Sequence, residues 1–145
     1  MAFDDSALLA YMRSQRLGVV ASVGPHGEPQ AALVGIAVSP NCEVIFDTGV
    51  RGRKHANLLK DPRVAVVLQG PGEQTLQLQG TAHWLAPDDA GTDELRSVYF
   101  AVWPDGRERA ASGKLAHWCV SPRWARYSDF DQGPLIREFR WPAVS

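Results

Sequence analysis

Between Thr75 and Trp84 the sequence TLQLQGTAHW alternates cleanly. Leu76, Leu78, Gly80, Ala82 and Trp84 fall on one face of an extended chain, and Thr75, Gln77, Gln79, Thr81 and His83 on the other. Alternation of this kind favours an antiparallel sheet with one buried face.

The surrounding segments are also strand-like. Leu17 to Val23, a Gly-Pro-His-Gly turn and Ala31 to Val38 predict a hairpin, and the Pro40-Asn41 pair then turns into a strand from Glu43 to Asp47. Arg63 to Leu68 is a nearly continuous apolar run, suited to a strand covered on both sides and broken by Gly70, Pro71 and Gly72. Ala116 to Ser121 and Trp124 to Ser128 predict the last barrel strands, with Ile136 to Phe139 as an addition. Two longer helices are expected. One, capped by Asp5 or Ser6, carries Leu8, Leu9, Tyr11 and Met12 and ends near Gln15, packing as a lid on the sheet. The other runs from Asp88 to Phe100 with Leu95, Val98 and Tyr99 inward, and Trp103-Pro104-Asp105-Gly106 ends it. Six or so short strands with few helices point to a mainly β (α+β) chain, a closed or partly split antiparallel barrel rather than a doubly wound sheet. With 145 residues, one domain over 1–145 is expected. Trp103, Trp118, Trp124 and Trp141 exceed what one small core readily buries, which suits an interface or a tail folded across the barrel.

Composition excludes several classes. With 15 basic and 16 acidic side chains the net charge is −1, against broad attraction to nucleic acid or an anionic membrane. Cys42 and Cys119 form no C-x-x-C pair, and His26, His55, His83 and His117 are scattered, so neither a metal site nor a disulfide scaffold is expected. The first residues, MAFDDSALLAYMRSQR, hold no long apolar run, so the expectation is a soluble, cytoplasmic protein.

One segment carries chemistry: IFDTGVRGRKHANLLKDPRVAVVL, residues 45–68, predicts strand, basic loop, short helix and strand. The helix runs from about Arg53 to Lys60, and Asp61-Pro62 stops it. Arg51, Arg53 and Lys54 thus gather where the helix dipole disfavours cations, unless an anion such as phosphate sits among them. Thr48 adds a hydroxyl donor and Gly52 a backbone that a ligand can approach. The spacing is not that of a P-loop, because Gly49 and Gly52 are too close and His55 stands in place of the hydroxyl residue. A solvated basic turn is the competing reading.

Phe46, Thr48, Lys54, Leu58, Pro62, Arg63 and Val64 form a pattern that resembles the flavin-binding split-barrel proteins related to pyridoxamine 5'-phosphate oxidase. The resemblance extends loosely from about Ala7 to Tyr127. It implies an antiparallel split β-barrel with a few short flanking helices, and a homodimer with FMN at the subunit interface. It further implies that Arg53 and Lys54 hold the flavin phosphate, with Thr48 donating and Arg51 as a helper. The ring would lie along Leu33, Val34, Gly35 and Ile36, with Thr75 reaching it from the partner subunit and Gln77 a second candidate. Departures matter for the activity. The true oxidases carry an Arg and a Lys on the strand that here reads AALVGIAV, where Ala32 and Ala37 stand instead, and their late Arg-x-His pair is missing from FDQGPLIREF. The resemblance therefore implies an FMN-binding oxidoreductase acting on an undefined small molecule, with catalytic residues unassigned. The alternatives are a deazaflavin-dependent reductase, a non-catalytic flavin-binding module for storage or redox sensing, and a cofactor-free interaction domain. Haem would require an axial ligand, for which His117 is the one late candidate.

Overall fold

The computed structural model describes residues 3–142. Strands β1 (Leu17–Val23), β2 (Pro29–Val38), β3 (Val44–Gly49), β4 (Arg63–Gln69), β5 (Gln74–Trp84) and β6 (Leu115–Asp129) form one antiparallel sheet in the order β3-β2-β1-β4-β5-β6. Pairing of β3 with β6, from Val44 opposite Val120 to Gly49 opposite Leu115, closes that sheet into a six-stranded barrel. Closure leaves no open sheet edge along that seam to template association. A further strand, β7 (Leu135–Arg140), continues the same edge of β6 beyond β3.

The long β6 differs from the two strands expected there. Its first part pairs with β3 up to Val120 and its last part with β7 from Trp124, leaving Pro122 between them, where its missing N–H breaks no ladder on that edge. On the other edge Pro122 faces Gly80 at a register shift between Gln79 and Gly80. The backbones come so close that a Cβ on Gly80 would lie 2.3 Å from the Ser121 carbonyl oxygen. The bulge and the glycine together let one strand run through a proline.

The barrel interior follows the alternation: Leu76, Leu78 and Ala82 of β5 meet Val20, Val66, Ile36, Phe46, Trp118 and Val120. Helix α1 (Asp5–Ser14) caps one end with Leu8, Tyr11 and Met12 buried. Its N-cap is Asp4, whose carboxylate accepts from the Ala7 N–H at 2.9 Å, so the cap lies just before the expected Asp5 or Ser6. A second cluster, outside the barrel, joins Ala37, Ile45 and Cys119 to Tyr99 of α3 (Asp93–Val102). That helix starts later than expected, because Ala90–Thr92 forms a 3-10 turn held by the Asp89 carboxylate. A short helix, α4 (Gly106–Ala110), follows at the point where the sequence predicted a terminator. Asp105 and Arg109, one helical turn apart, form an ion pair that supports it.

The tryptophans divide. Trp118 is only 2% exposed and belongs to the core, so it serves no interface. Trp103 packs on β2, and Trp124 and Trp141 line a groove beside Arg123. Among the described residues no helix is long and apolar enough to cross a membrane.

Replacing Gly80 with alanine should lower unfolding free energy by about 1–3 kcal/mol through overpacking. Urea unfolding of the purified protein checks this, and an unchanged midpoint would contradict the close approach.

Candidate functional site

Helix α2 (Arg53–Lys60) follows β3 through a tight turn, in which the Gly52 N–H donates to the Gly49 carbonyl at 2.9 Å and the Val50 N–H to that of Lys114, also at 2.9 Å. The helix covers the predicted span. Gly52 is its N-cap and supplies no side-chain bond, and the first turn carries no acid. The first N–H groups of the helix are therefore uncapped donors beside two cations. A side chain at Gly52 would crowd the Gly49 carbonyl oxygen, 3.1 Å from the Cβ position, so backbone remains open there.

These groups open on a small cleft of about 120 Å³ lined by Ser22, Gln30, Ala32, Thr48, Arg53 and Lys54. Among the described residues neither Arg53 nor Lys54 pairs with a carboxylate. Burial, with Arg53 beside it, lowers the Lys54 pKa from its ordinary value. A half-buried, unpaired ammonium next to an uncapped helix start is the electrostatic complement of a phosphate.

One further residue braces the cleft. Asn57 is buried and donates to Ser22 Oγ at 3.0 Å and Gln30 Oε1 at 2.9 Å, tying α2 to β1 and β2. Sequence reasoning missed Ser22, Gln30 and Asn57. The available signal was a polar residue on the inner face of a short amphipathic helix, between buried His55 and Leu58. His55 itself turns away from the cleft: its Nδ1 accepts from Trp118 Nε1 at 3.0 Å, deep in the barrel.

The remaining sequence-derived positions are spread along the sheet. Strand β2 pairs with β1 over Pro29–Gly35 but with β3 only over Ile36–Val38, so among the described residues its other edge carries no strand along Leu33 to Gly35. This gap is the split in the barrel, and its free backbone groups adjoin the cleft through Gln30, Ala31 and Ala32. Val34 packs on the core and Leu33 is 64% exposed on the outer face. The space beside Gly35 is taken by Trp103, whose indole lies 2.8 Å from the Cβ position and donates to the Ile36 carbonyl at 2.9 Å. Arg51 and Thr75 do not line the cleft of their own chain. Ala32 does line it, and Ala37 is buried beneath α3, so neither brings a cation.

The family model described as pyridoxamine 5'-phosphate oxidase matches residues 5–129. The chain belongs to the pyridoxamine 5'-phosphate oxidase-related split-barrel family. Among solved structures it is similar to a haem-binding protein from Mycobacterium smegmatis, with a TM-score of 0.79 and 15% identity over 97% of this chain. The chain spans 60% of that protein's length. A pyridoxamine 5'-phosphate oxidase-related, FMN-binding protein from Nostoc punctiforme gives a TM-score of 0.71 and 16% identity, covering 97% of this chain and 91% of its own. HutZ, the haem storage protein from Vibrio cholerae, gives 0.70 and 10%, covering 82% and 89%. No curated protein matches the chain. At these identities the structural likenesses establish the fold alone, and the proteins that share it are described by different cofactors.

An anion in the cleft should raise the Lys54 pKa above its free value. Phosphate-ligand affinity is then full below the free pKa and lost as pH rises through the higher, bound-state value. Titrating FMN by fluorescence quenching from neutral to alkaline pH should show this decline, and Lys54→Arg should flatten it, because a guanidinium stays charged.

Proposed function

We propose that this protein is an FMN-dependent oxidoreductase of a small molecule other than pyridoxamine 5'-phosphate, working as a homodimer with the flavin between subunits. The observation that carries the reading is the uncapped, carboxylate-free start of α2 with the partly desolvated Lys54 beside it. The residues fit the group. Arg53 and Lys54 would hold the phosphate, the Thr48 hydroxyl and the helix N–H groups would donate to it, and the unpaired edge of β2 would meet the ring through backbone. When bound, FMN would supply the hydride chemistry, so the protein need only bind, orient and exclude water.

The absence of a cation at Ala32 supports a substrate other than the one named by the family. Flavin is favoured over haem because His117 is 4% exposed and borders a separate cavity of about 280 Å³, which shares no residue with the cleft. Dimerisation is supported by the outer face of β2-β1-β4, where Leu33, Val19 and Val67 lie side by side in register and Leu17 extends the patch. Pairing that face with a second copy would bring a partner's surface to the split edge of β2. There a residue such as the partner's Thr75 could reach the ring.

Visible absorption of the purified protein, loaded with FMN where colourless, tests the cofactor: about one FMN per chain is expected. Arg53→Ala with Lys54→Ala should abolish retention while the circular dichroism spectrum is unchanged, and unaltered stoichiometry would sink the site. Binding of a deazaflavin in place of FMN would redirect the reading, as would bound flavin that no donor reduces.

Leu33→Glu should shift the protein from dimer to monomer in light scattering and weaken FMN binding with it. A variant that stays dimeric would move the interface elsewhere.

A further inference from the structure

The outward residues of five strands line up in register across the sheet: Ala21 of β1, Ala65 of β4, Gln79 of β5, Trp124 of β6 and Arg140 of β7. Their strand neighbours Val20, Val66, Leu78, Ala125 and Phe139 are buried inside, so this row points away from the barrel. Outward positions along β1 read Val19, Ala21, Val23, and along β4 Arg63, Ala65, Val67, so the two alanines sink a hollow between larger side chains. That hollow is the floor of a groove of about 840 Å³, walled at its other end by Trp124 and Trp141. Trp124 is held by the next row, where its Nε1 donates to Glu138 at 3.4 Å and Arg126 lies over its ring at 5.7 Å. Neither of those two residues lines the groove.

The lining specifies the occupant. Among the described residues three guanidiniums and no acid line the groove. Arg63 is engaged by Asp61 at 2.6 Å, and Arg140 lies 3.6 Å from Glu138, which Arg126 holds more closely at 2.7 Å. Arg123 is exposed and, among the described residues, meets no carboxylate. One unengaged guanidinium matches one negative charge, and its planar fork fits the two oxygens of a carboxylate. The Gln79 amide, exposed in the middle of the floor, adds a donor. A shallow floor of methyl groups beside an indole accommodates a flat ring. From Ala21 to Trp124 the row crosses three strand spacings, about 14 Å, which is room for a fused two-ring system with its acid group. The groove volume falls within the roughly 300–1,000 Å³ usual for small-molecule sites.

We propose that this groove is a second ligand site that binds a flat aromatic carboxylate, its ring on Ala21 and Ala65 against Trp124 and its carboxylate accepting from Arg123. The site is independent of the flavin reading, because neither Arg53 nor Lys54 lines it. Val19 and Val67 also belong to the face proposed for dimerisation, so the groove runs along the rim of that face.

2-Naphthoate is a suitable probe, followed by calorimetry and by the indole N–H resonances of the full chain labelled on tryptophan. It should shift the Trp124 and Trp141 resonances saturably, with neutral 2-naphthamide and non-aromatic cyclohexanecarboxylate each binding more weakly. Arg123→Gln, a change at an exposed position, should weaken 2-naphthoate by about tenfold, the scale of a hydrogen bond to a charged group. Trp124→Leu should weaken it severalfold through the lost ring contact. FMN retention should be unchanged in both variants. No saturable shift at either indole, equal 2-naphthoate affinity in Arg123→Gln, or displacement of 2-naphthoate by one FMN per chain would each overturn the assignment.

Discussion

The bond from Trp118 Nε1 to His55 Nδ1 fixes the relation between the barrel and the helix that carries the cations. Helix α2 is only eight residues long and too short to persist by its own propensity. Its orientation comes from His55, Asn57 and Leu58, which are buried while Arg53 and Lys54 face the cleft. The imidazole can accept only when Nδ1 is unprotonated, and burial favours that state by lowering the His55 pKa below its ordinary 6.5. The contribution of this bond to stability is therefore complete above the unfolded pKa and lost as pH falls through the lower folded value. Trp118 and Trp84 both lie edge-on to the same ring, so the aromatic packing and the polar contact hold one geometry.

Holding α2 in this way carries an electrostatic cost on its other side. A lysine that loses part of its hydration without gaining a carboxylate is destabilised in its charged form, and the positive end of the helix adds to that. Proteins retain such an arrangement where a ligand offsets it. Gly52 and Ala32 keep the cleft free of competing side chains, while Asn57 and Gln30 hold its floor through hydrogen bonds that leave the cations uninvolved. The same logic explains the open edge of β2. Backbone groups that no strand satisfies are kept next to the one place where a polar ligand could use them.

Much of this was legible in the residues. The period-2 pattern of β5 and the hairpin of β1 and β2 required an antiparallel sheet, and the Asp61-Pro62 stop set the end of α2. The motif around Thr48, Lys54 and Pro62 carried the family. Errors arose where a local signal was outweighed by a distant partner. Pro122 reads as a strand break until Gly80, far away in sequence, supplies the bulge that accommodates it. Gly35 sits on the strand that the resemblance gives to the ring, but only the fold shows that Trp103, the residue just after α3, packs against it. Ser22, Gln30 and Asn57 are individually ordinary polar residues, and only the crossing of α2 over β1 and β2 makes them one network.

Strand β6 shows how a single alternation serves two surroundings. Ala116, Trp118 and Val120 point into the barrel, where Trp118 anchors α2 and hence the basic cleft. His117 and Cys119 point outward beneath α3, where Cys119 joins the apolar cluster and His117 borders the second cavity. A one-residue slip of this strand would exchange the two sets, placing an imidazole in the core and an indole under the helix. The long pairing with β5 and the bulge at Gly80 guard against that slip. Both the cation cradle and the outer cavity therefore depend on the register that the Gly80–Pro122 contact sets.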